Sequence, residues 1–291
     1  MAATISFDGT EDLLDIRFDN VFKAVFTRET ADSNTALARL VSAVIGWEVA
    51  VLEIVANEPA QENLRDRQIR FDINCRTEDG ERIGVEMSLS PTAFEPARLE
   101  YYAARLFGAQ DIKGAGRTYS DLKRTCQIAI LAERSFFPDG DFLHSFEYYD
   151  PERGVPLGGR SRIFTLELSK LGSVAEKPAW EMSNRERWAV FFRYLTDSGM
   201  RRKINEILAL EEGIAMAGRV LQTISRDETE RARLESELKN NLDWQNGINL
   251  ARREGRTEGE MIGERKSEQR ILAFLDKGYT AEDIRRELAG R

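Results

Sequence analysis

Two acidic side chains, Asp72 and Glu86, stand out because the pattern around them predicts that they face each other. Residues 68–76 and residues 82–90 each alternate polar and apolar side chains, and a turn-forming Asp-Gly pair lies between them, which is typical of a β-hairpin. Carboxylates opposite each other repel, and a divalent cation such as Mg²⁺, which prefers oxygen ligands, would offset that repulsion. A cation held there would stabilise charge on a phosphate and lower the pKa of a bound water, which suits phosphodiester hydrolysis.

The length of the turn decides whether the two carboxylates meet. A two-residue turn would pair Ile73 with Glu86 and mix apolar and acidic side chains on one face. A three-residue loop, with Gly80 in the left-handed conformation that such loops require, places Asp72 directly opposite Glu86. Directly opposed Cβ atoms are about 4.5–5.5 Å apart. Because only this register keeps the apolar side chains together on one face, we predict it.

The carboxylate pair also has a simpler explanation. Both groups would then be solvated on an exposed face of the hairpin and paired with Arg70 and Arg76, which alternate with Asp72 along the same strand. Spacing alone does not separate this arrangement from a metal site.

The elements that would hold the hairpin come from the rest of the chain. Apolar residues recur at helical spacing in three segments: 12–45, which is interrupted at 30–34, 97–111 and 183–224. Runs that are typical of strands occupy three others: 49–56, 124–132 and 162–168. The chain therefore predicts a mixture of helices and strands up to about residue 225.

A charged tail begins near residue 226, where basic and acidic residues become abundant and nearly balanced. Their three- and four-residue offsets favour exposed helices. Gly255, Gly259 and Gly263 repeat every four residues, which would let two helices approach closely or would break the helix. Residues 271–288 predict a small helix–turn–helix. We therefore divide the chain into a domain at 1–225 and a tail at 226–291, and expect the tail helices to form a homo-oligomer.

Composition limits the classes of protein to which the chain can belong. The net charge of -8 argues weakly against nonspecific nucleic-acid binding, although a groove needs only a local basic stripe. We expect no signal peptide, because the first residues are polar and acidic, and no membrane span, because no apolar run approaches the roughly 20 residues required.

The two cysteines bear on the cellular compartment. Cys75 and Cys126 lie far apart in apolar, strand-like runs, so we expect both to be reduced and buried, as in a cytoplasmic protein. With the single histidine, His144, they lack the spacing of a zinc site. His144 itself is interpreted as a loop or strand residue rather than a catalytic base.

Four motifs occur in an order that resembles a known family. They are the helical DNVFKAVF at 19–26, Phe71-Asp72-Ile73 fourteen residues before Val85-Glu86-Met87, Arg98 with Tyr101-Tyr102 followed by Tyr119 and Leu122, and a tail rich in Gly and Glu from 251 onward. Together they are similar to the Rpn family of recombination-promoting nucleases, also described as PD-(D/E)XK transposases, whose motifs include D-x-x-F-K-x-x-F and E-x-Q or E-x-K.

The resemblance implies a fold, an activity and a set of ligands. The fold would be an α/β, PD-(D/E)XK nuclease-like core at 1–225, with a mixed central sheet flanked by helices and an extended helical C-terminal tail. The activity would be that of a DNA endonuclease that hydrolyses phosphodiesters with Mg²⁺ or Mn²⁺. Asp72 and Glu86 would be catalytic and hold the metal, the backbone carbonyl of Met87 would add a ligand, and Asp19 would be a third acidic group.

One position departs from the family pattern. Two residues after Glu86, where the family has Gln or Lys, this chain has Ser88, which has no charge but can hydrogen-bond a water. Lys23 would supply the missing cation if its helix packs beside the hairpin; otherwise it is a solvated helix residue. The alternative function is therefore a catalytically weakened relative that acts as a DNA-binding or oligomeric scaffold.

Contact with DNA requires cations that bind phosphate. The candidates are Arg70, Arg98, Arg105, Arg117 and Lys123, with Arg65, Arg67 and Arg124 as neighbours in the sequence. Arg98 and Arg105 are seven residues apart and so share a helix face. Each of these residues could equally be scattered surface charge.

Overall fold

The centre of the fold is a six-stranded sheet. The computed structural model describes residues 5–55, 72–110, 112, 116, 118–278, 280 and 281. In spatial order the strands are β1 (Val51–Ile54), β2 (Ile73–Thr77), β3 (Arg82–Ser88), β4 (Thr125–Leu131), β8 (Ser161–Glu167) and β5 (Leu143–Phe146). β3, β4 and β8 run parallel, whereas the other neighbours are antiparallel. The predicted mixed sheet is therefore confirmed.

The remaining elements are mostly helices. They are α1 (Asp19–Phe26), α2 (Ala31–Ile45), α3 (Glu95–Gly108), α4 (Gly172–Glu176), α5 (Asn184–Tyr194), α6 (Arg201–Leu210), α7 (Glu212–Arg226) and α8 (Glu228–Asp276), besides a small hairpin of β6 (Tyr149–Asp150) and β7 (Val155–Pro156). The first helical segment breaks slightly earlier than predicted. The side chain of Thr30 accepts a hydrogen bond from the backbone N–H of Ser33 and so caps α2.

The two faces of the sheet are covered by different helices. One face carries the apolar side chains of the β2–β3 hairpin and packs in the main core, which also contains the buried residues of α1, α2 and α5. In that core, Trp188 of α5 stacks against Phe192 and contacts Phe26 of α1. The opposite face contacts α3, where Leu99 packs with Ala129 and Leu131 of β4. The polar face of the hairpin therefore lies beneath a helix.

One strand of the sheet was not predicted. β5 pairs with β8 at the sheet edge and contains His144, opposite Thr165. Its four residues, Leu-His-Ser-Phe, are too few to show the alternation of polar and apolar side chains by which a strand is predicted. His144 lies in a strand, in agreement with its interpretation, and its Nε2 atom is 2.9 Å from Oδ1 of Asp139.

The C-terminal segment is one long helix as far as the structure describes it. α8 covers 49 residues and passes through Gly255, Gly259 and Gly263 without a break, so the helix-break interpretation is wrong. By its contacts the chain forms two compact units, Met1–Leu234 and Glu235–Arg291. Of the predicted helix–turn–helix, α8 covers the beginning, and residues 279 and 282–291 lie outside the described residues. Oligomerisation through this tail stays a prediction.

Two compositional expectations can be compared with the structure. Cys75 and Cys126 are both free and buried, as predicted, and burial raises the pKa of each thiol to about 12. In the part of the chain that is described, no helix combines the length and apolar character that crossing a membrane requires.

Candidate active site

The hairpin register brings the two predicted carboxylates together. Ile73 pairs with Val85 and Asn74 with Gly84, so one step beyond Ile73 the same register sets Asp72 opposite Glu86. The turn is the three-residue loop that was predicted, with Gly80 at φ +82° and its N–H donating to the carbonyl of Thr77. The predicted register is therefore confirmed.

Reciprocal hydrogen bonds fix the two carboxylates. The backbone N–H of Asp72 donates to Oε1 of Glu86 at 3.1 Å, and the backbone N–H of Met87 donates to Oδ2 of Asp72 at 2.9 Å. Each acid is therefore held by backbone of the strand that carries the other. Charge-assisted bonds of this kind are stronger than neutral ones, so the pair has a defined geometry.

The pair is buried rather than solvated. Asp72 is 7% exposed and Glu86 is 1% exposed, because α3 covers the polar face of the hairpin. The alternative of two solvated carboxylates on an exposed face is therefore wrong. Arg76, its proposed partner, instead pairs with Glu53 of β1, and Arg70 lies outside the described residues.

Burial also opposes ionisation of the pair. It raises the pKa of Glu86, and the nearby charge of Asp72 raises it further, so that it reaches about 8 although Arg98 works in the opposite direction. The pKa of Asp72 is raised as well, chiefly by burial, although Lys23 and the Met87 N–H lower it. A bound cation would favour the ionised form of both carboxyl groups. Their raised pKa values are therefore consistent with a site for a cation.

Lys23 reaches the pair from α1. Phe22 and Phe26 are buried in the core and fix the helix, which directs the intervening Lys23 toward the hairpin. Its Nζ atom lies 2.9 Å from Oδ1 of Asp72 and 3.3 Å from Oδ2 of Asp19. Burial works to lower the pKa of Lys23, but the attraction of Asp72 and Asp19 outweighs it and the pKa is raised. Lys23 is therefore a cation beside Asp72 and not the solvated helix residue of the alternative interpretation.

Arg98 approaches the pair from α3 on the other side. Its guanidinium donates to Oε2 of Glu86 at 2.7 Å and to Oε1 of Glu95 at 3.0 Å, and it lies over the ring of Tyr102. It was predicted to bind DNA; the structure places it in an ion pair with a carboxylate of the site. Glu95, which is 2% exposed, was not predicted from the sequence. Its spacing of three residues from Arg98 in a helix was the available signal.

The other predicted residues of the site lie at its edge. Ser88 follows Glu86 by two residues and is half-buried at the end of β3. The carbonyl of Ser88 accepts from Ala132 beyond β4. Because adjacent residues of a strand direct their backbone groups to opposite sides, the carbonyl of Met87 is directed toward the strand that carries Asp72, as its N–H is.

The predicted DNA-binding cations do not form one group. Arg105 lies two turns beyond Arg98 on α3 and is half-buried. Lys123 packs its side chain near Gly80 at the hairpin turn, which is six residues along the strand from Glu86, or about 20 Å. Arg117 lies outside the described residues, as do Arg65, Arg67 and Arg70.

The chemistry of the site suits a divalent cation. Asp19, Asp72, Glu86 and Glu95 face two cations, Lys23 and Arg98, which leaves a formal excess of two negative charges. The donors are carboxylate oxygens, which Mg²⁺ and Mn²⁺ prefer. Among the described residues, no three His, Cys, Asp or Glu side chains converge as a ligand set, so two carboxylates would be supplemented by backbone or water oxygens.

A mixed sheet with an Asp and a Glu facing each other on adjacent strands is consistent with the PD-(D/E)XK nuclease fold. A family model described as PD-(D/E)XK nuclease family transposase matches residues 16–251, and the chain belongs to this family. The resemblance that the four motifs indicate is therefore confirmed. The match begins just before α1, includes both carboxylates and ends within α8. The Gly- and Glu-rich tail after residue 251 is not covered.

Comparisons with curated proteins and with solved structures gave no match. The activity of the chain is therefore argued from its family and from the geometry of the site.

Proposed function

We propose that the protein is a metal-dependent DNA endonuclease that hydrolyses phosphodiester bonds at Asp72 and Glu86. The observation that carries the proposal is the burial of these two carboxylates opposite each other. Two acidic side chains that face each other destabilise a β-sheet. Destabilising arrangements of this kind occur mainly at functional sites. Family membership supplies the reaction class.

Mg²⁺ or Mn²⁺, when bound, would stabilise negative charge on the scissile phosphate and acidify a water. Asp72 and Glu86 would hold it, and the carbonyl of Met87 lies on the correct side of β3 to contribute. The N–H groups of Asp72 and Met87 keep the carboxylates aligned for this role.

Lys23 takes the place of the family's Lys or Gln in this proposal. An ammonium group has three donors, and the described contacts to Asp72 and Asp19 use two of them. The third can orient a water or a phosphate oxygen. Since the pKa of Lys23 is raised, it acts as a cation and hydrogen-bond donor, not as a general base. Ser88 would add a hydroxyl at the same edge.

The second candidate is a DNA-binding or oligomeric scaffold without hydrolysis. One observation favours it: Arg98 already contacts Oε2 of Glu86 at 2.7 Å, so a metal ion would compete with Arg98 for this carboxylate. In the nuclease, Arg98 would have to share Glu86 with the metal or move toward Glu95, with which it also pairs.

A plasmid-nicking assay separates the two candidates. Supercoiled plasmid is incubated with Mg²⁺ or Mn²⁺ and with the wild type, Asp72→Asn, Glu86→Gln or the double variant. The nuclease proposal predicts metal-dependent nicking that all three variants abolish. Glu81→Gln is the matched control, because Glu81 also lies on the hairpin beside an arginine, Arg124, but at the turn. Nicking that survives in the double variant would exclude this site, and the absence of nicking by wild type would favour the scaffold.

A further inference from the structure

The outer side of α3 carries a stripe of alternating aromatic and cationic side chains. Its members, here called the α3 stripe, are Phe94, Arg98, Tyr101 and Arg105. Their spacings of four, three and four residues place them on one helix face. The buried residues Leu99, Ala103 and Leu106 occupy the face toward the sheet, so the α3 stripe does not contribute to the core.

The two aromatic side chains of the α3 stripe are exposed to solvent rather than packed against the rest of the protein. Phe94 is 80% exposed and Tyr101 is 46% exposed, and seven residues of helix separate them by about 10 Å. Large apolar rings that remain in water beside cations are typical of surfaces on which nucleic-acid bases stack. The separation corresponds to about three base steps at 3.4 Å each.

Arg98 connects the stripe to the site. It stands between Phe94 and Tyr101, lies over the ring of Tyr102 and donates to Glu86 at 2.7 Å. A DNA strand that follows the stripe would therefore reach Arg98, which contacts one of the two carboxylates. Phe94 follows Ser88, the last residue of β3, by six residues, so the stripe begins in the connection that leaves the strand carrying Glu86.

We propose that the α3 stripe binds single-stranded DNA, with unpaired bases stacked on Phe94 and Tyr101 and phosphates contacted by Arg105. This inference rests on the proposed nuclease function and specifies its substrate as DNA with an unpaired segment beside the scissile phosphate. In a duplex the bases are stacked on one another and the backbone faces outward, so the two rings would gain little from it. Stacking also tolerates any sequence, because every base has a π-face.

Fluorescence anisotropy of the full chain in EDTA tests the inference without cleavage. The probes are a labelled 30-nucleotide DNA strand, the same strand in a blunt duplex, and an RNA strand of the same sequence. We expect tighter binding of the single DNA strand than of the duplex. Phe94→Ala and Tyr101→Ala should each weaken single-strand binding about 5- to 100-fold, the range of base–aromatic stacking, and change duplex binding less than twofold.

Two control variants make the readout specific. Phe94→Trp retains a stacking surface and should preserve single-strand binding. Tyr119→Ala removes another aromatic ring that is 80% exposed but does not belong to the α3 stripe, and should leave binding unchanged. Equal losses for single strand and duplex, no loss in either alanine variant, or tighter binding of RNA than of DNA would each overturn the inference.

Failure of the inference and failure of the nuclease proposal are distinguishable. If nicking depends on Asp72 and Glu86 but Phe94→Ala binds single strands normally, only the inference about the α3 stripe is wrong. If single-strand binding depends on the stripe but no DNA is cleaved, the stripe is a DNA-binding surface on a scaffold and the nuclease proposal is wrong.

Discussion

The Nζ atom of Lys23 lies 2.9 Å from Oδ1 of Asp72, so a helix near the N-terminus supplies a cation to the carboxylate that immediately precedes β2. Because Ser88 occupies the position where the family pattern has Gln or Lys, the proposed nuclease depends on this ion pair for its cation. In the proposed nuclease, Lys23 would supply from α1 the cation that the family pattern places two residues after the Glu.

Replacing Lys23 should impair catalysis more than binding. We expect Lys23→Ala to lower kcat for plasmid nicking on the order of 10²- to 10³-fold, as for other removed electrostatic donors, with little change in KM. Lys23→Arg should keep part of the activity, because the charge is retained. Lys177→Ala removes a lysine that pairs with Glu186 elsewhere and should have no effect. Equal activity of Lys23→Ala and wild type would refute the role of Lys23.

Moving the lysine back to the family position should compensate for its loss. In the Lys23→Ala background, Ser88→Lys should recover activity at least tenfold, since Ser88 lies at the end of β3 beside the same pair. Nicking rates at saturating Mg²⁺ measure the recovery. If Ser88→Lys restores nothing while the double variant still folds by circular dichroism, the two positions are not equivalent.

Much of the hairpin could be predicted from the sequence, because register follows from a local alternation and a turn of fixed length. Burial of the pair could not, because it depends on α3, which returns over the polar face and brings Arg98 to Glu86. For the same reason, the sequence predicted the approach of Lys23 only on the condition that its helix packs beside the hairpin. Whether α1 packs beside the hairpin depends on the aromatic contacts between Phe26 and α5, which are distant in sequence.

The stability of the metal-free protein should decrease as pH rises from 4.5 to about 8, the interval between the ordinary pKa of Glu86 and its pKa in the folded protein. Its pKa is about 8 in the folded protein, against an ordinary value of 4.5. Below pH 4.5 the carboxyl is protonated in both states, and the stabilisation is fully present. Between 4.5 and 8 the unfolded chain releases its proton while the folded protein keeps it, so the free energy of unfolding falls by up to a few kcal/mol.

Urea denaturation in EDTA at several pH values between 5 and 8 measures this dependence. Glu86→Gln cannot titrate, so its free energy of unfolding should fall less steeply with pH than that of wild type. Addition of Mg²⁺ at pH 8 should raise the stability of wild type and not that of Glu86→Gln. Parallel pH profiles for the two proteins would contradict the raised pKa.

The tail helix should mediate self-association. Leu242, Leu250, Met261 and Ile262 of α8 are large apolar side chains that are about half exposed, and burial against a second copy would stabilise a dimer. We expect the full chain to be a dimer by multi-angle light scattering. A chain that ends at residue 240, beyond the buried Leu234, should be a folded monomer. A monomeric full chain at working concentration would exclude this arrangement.

The buried side chain of Gln127 on β4 should make Gly84 intolerant of a side chain. A Cβ atom at Gly84 would overlap Oε1 of Gln127 and lie 3.4 Å from Leu106 of α3, and Gln127 is fully buried. Gly84→Ala should therefore lower the free energy of unfolding by about 1–3 kcal/mol, the usual cost of overpacking. Gly108→Ala, where nothing lies within 4 Å of the added carbon, should be neutral or slightly stabilising.

A double-mutant cycle assigns that cost to the contact with Gln127. If the overlap is responsible, Gly84→Ala should be tolerated better in a Gln127→Ala background, with an interaction energy of about 1 kcal/mol or more for residues in contact. Urea denaturation of the four proteins measures the cycle. Additive effects would mean that the cost arises from contacts other than that with Gln127.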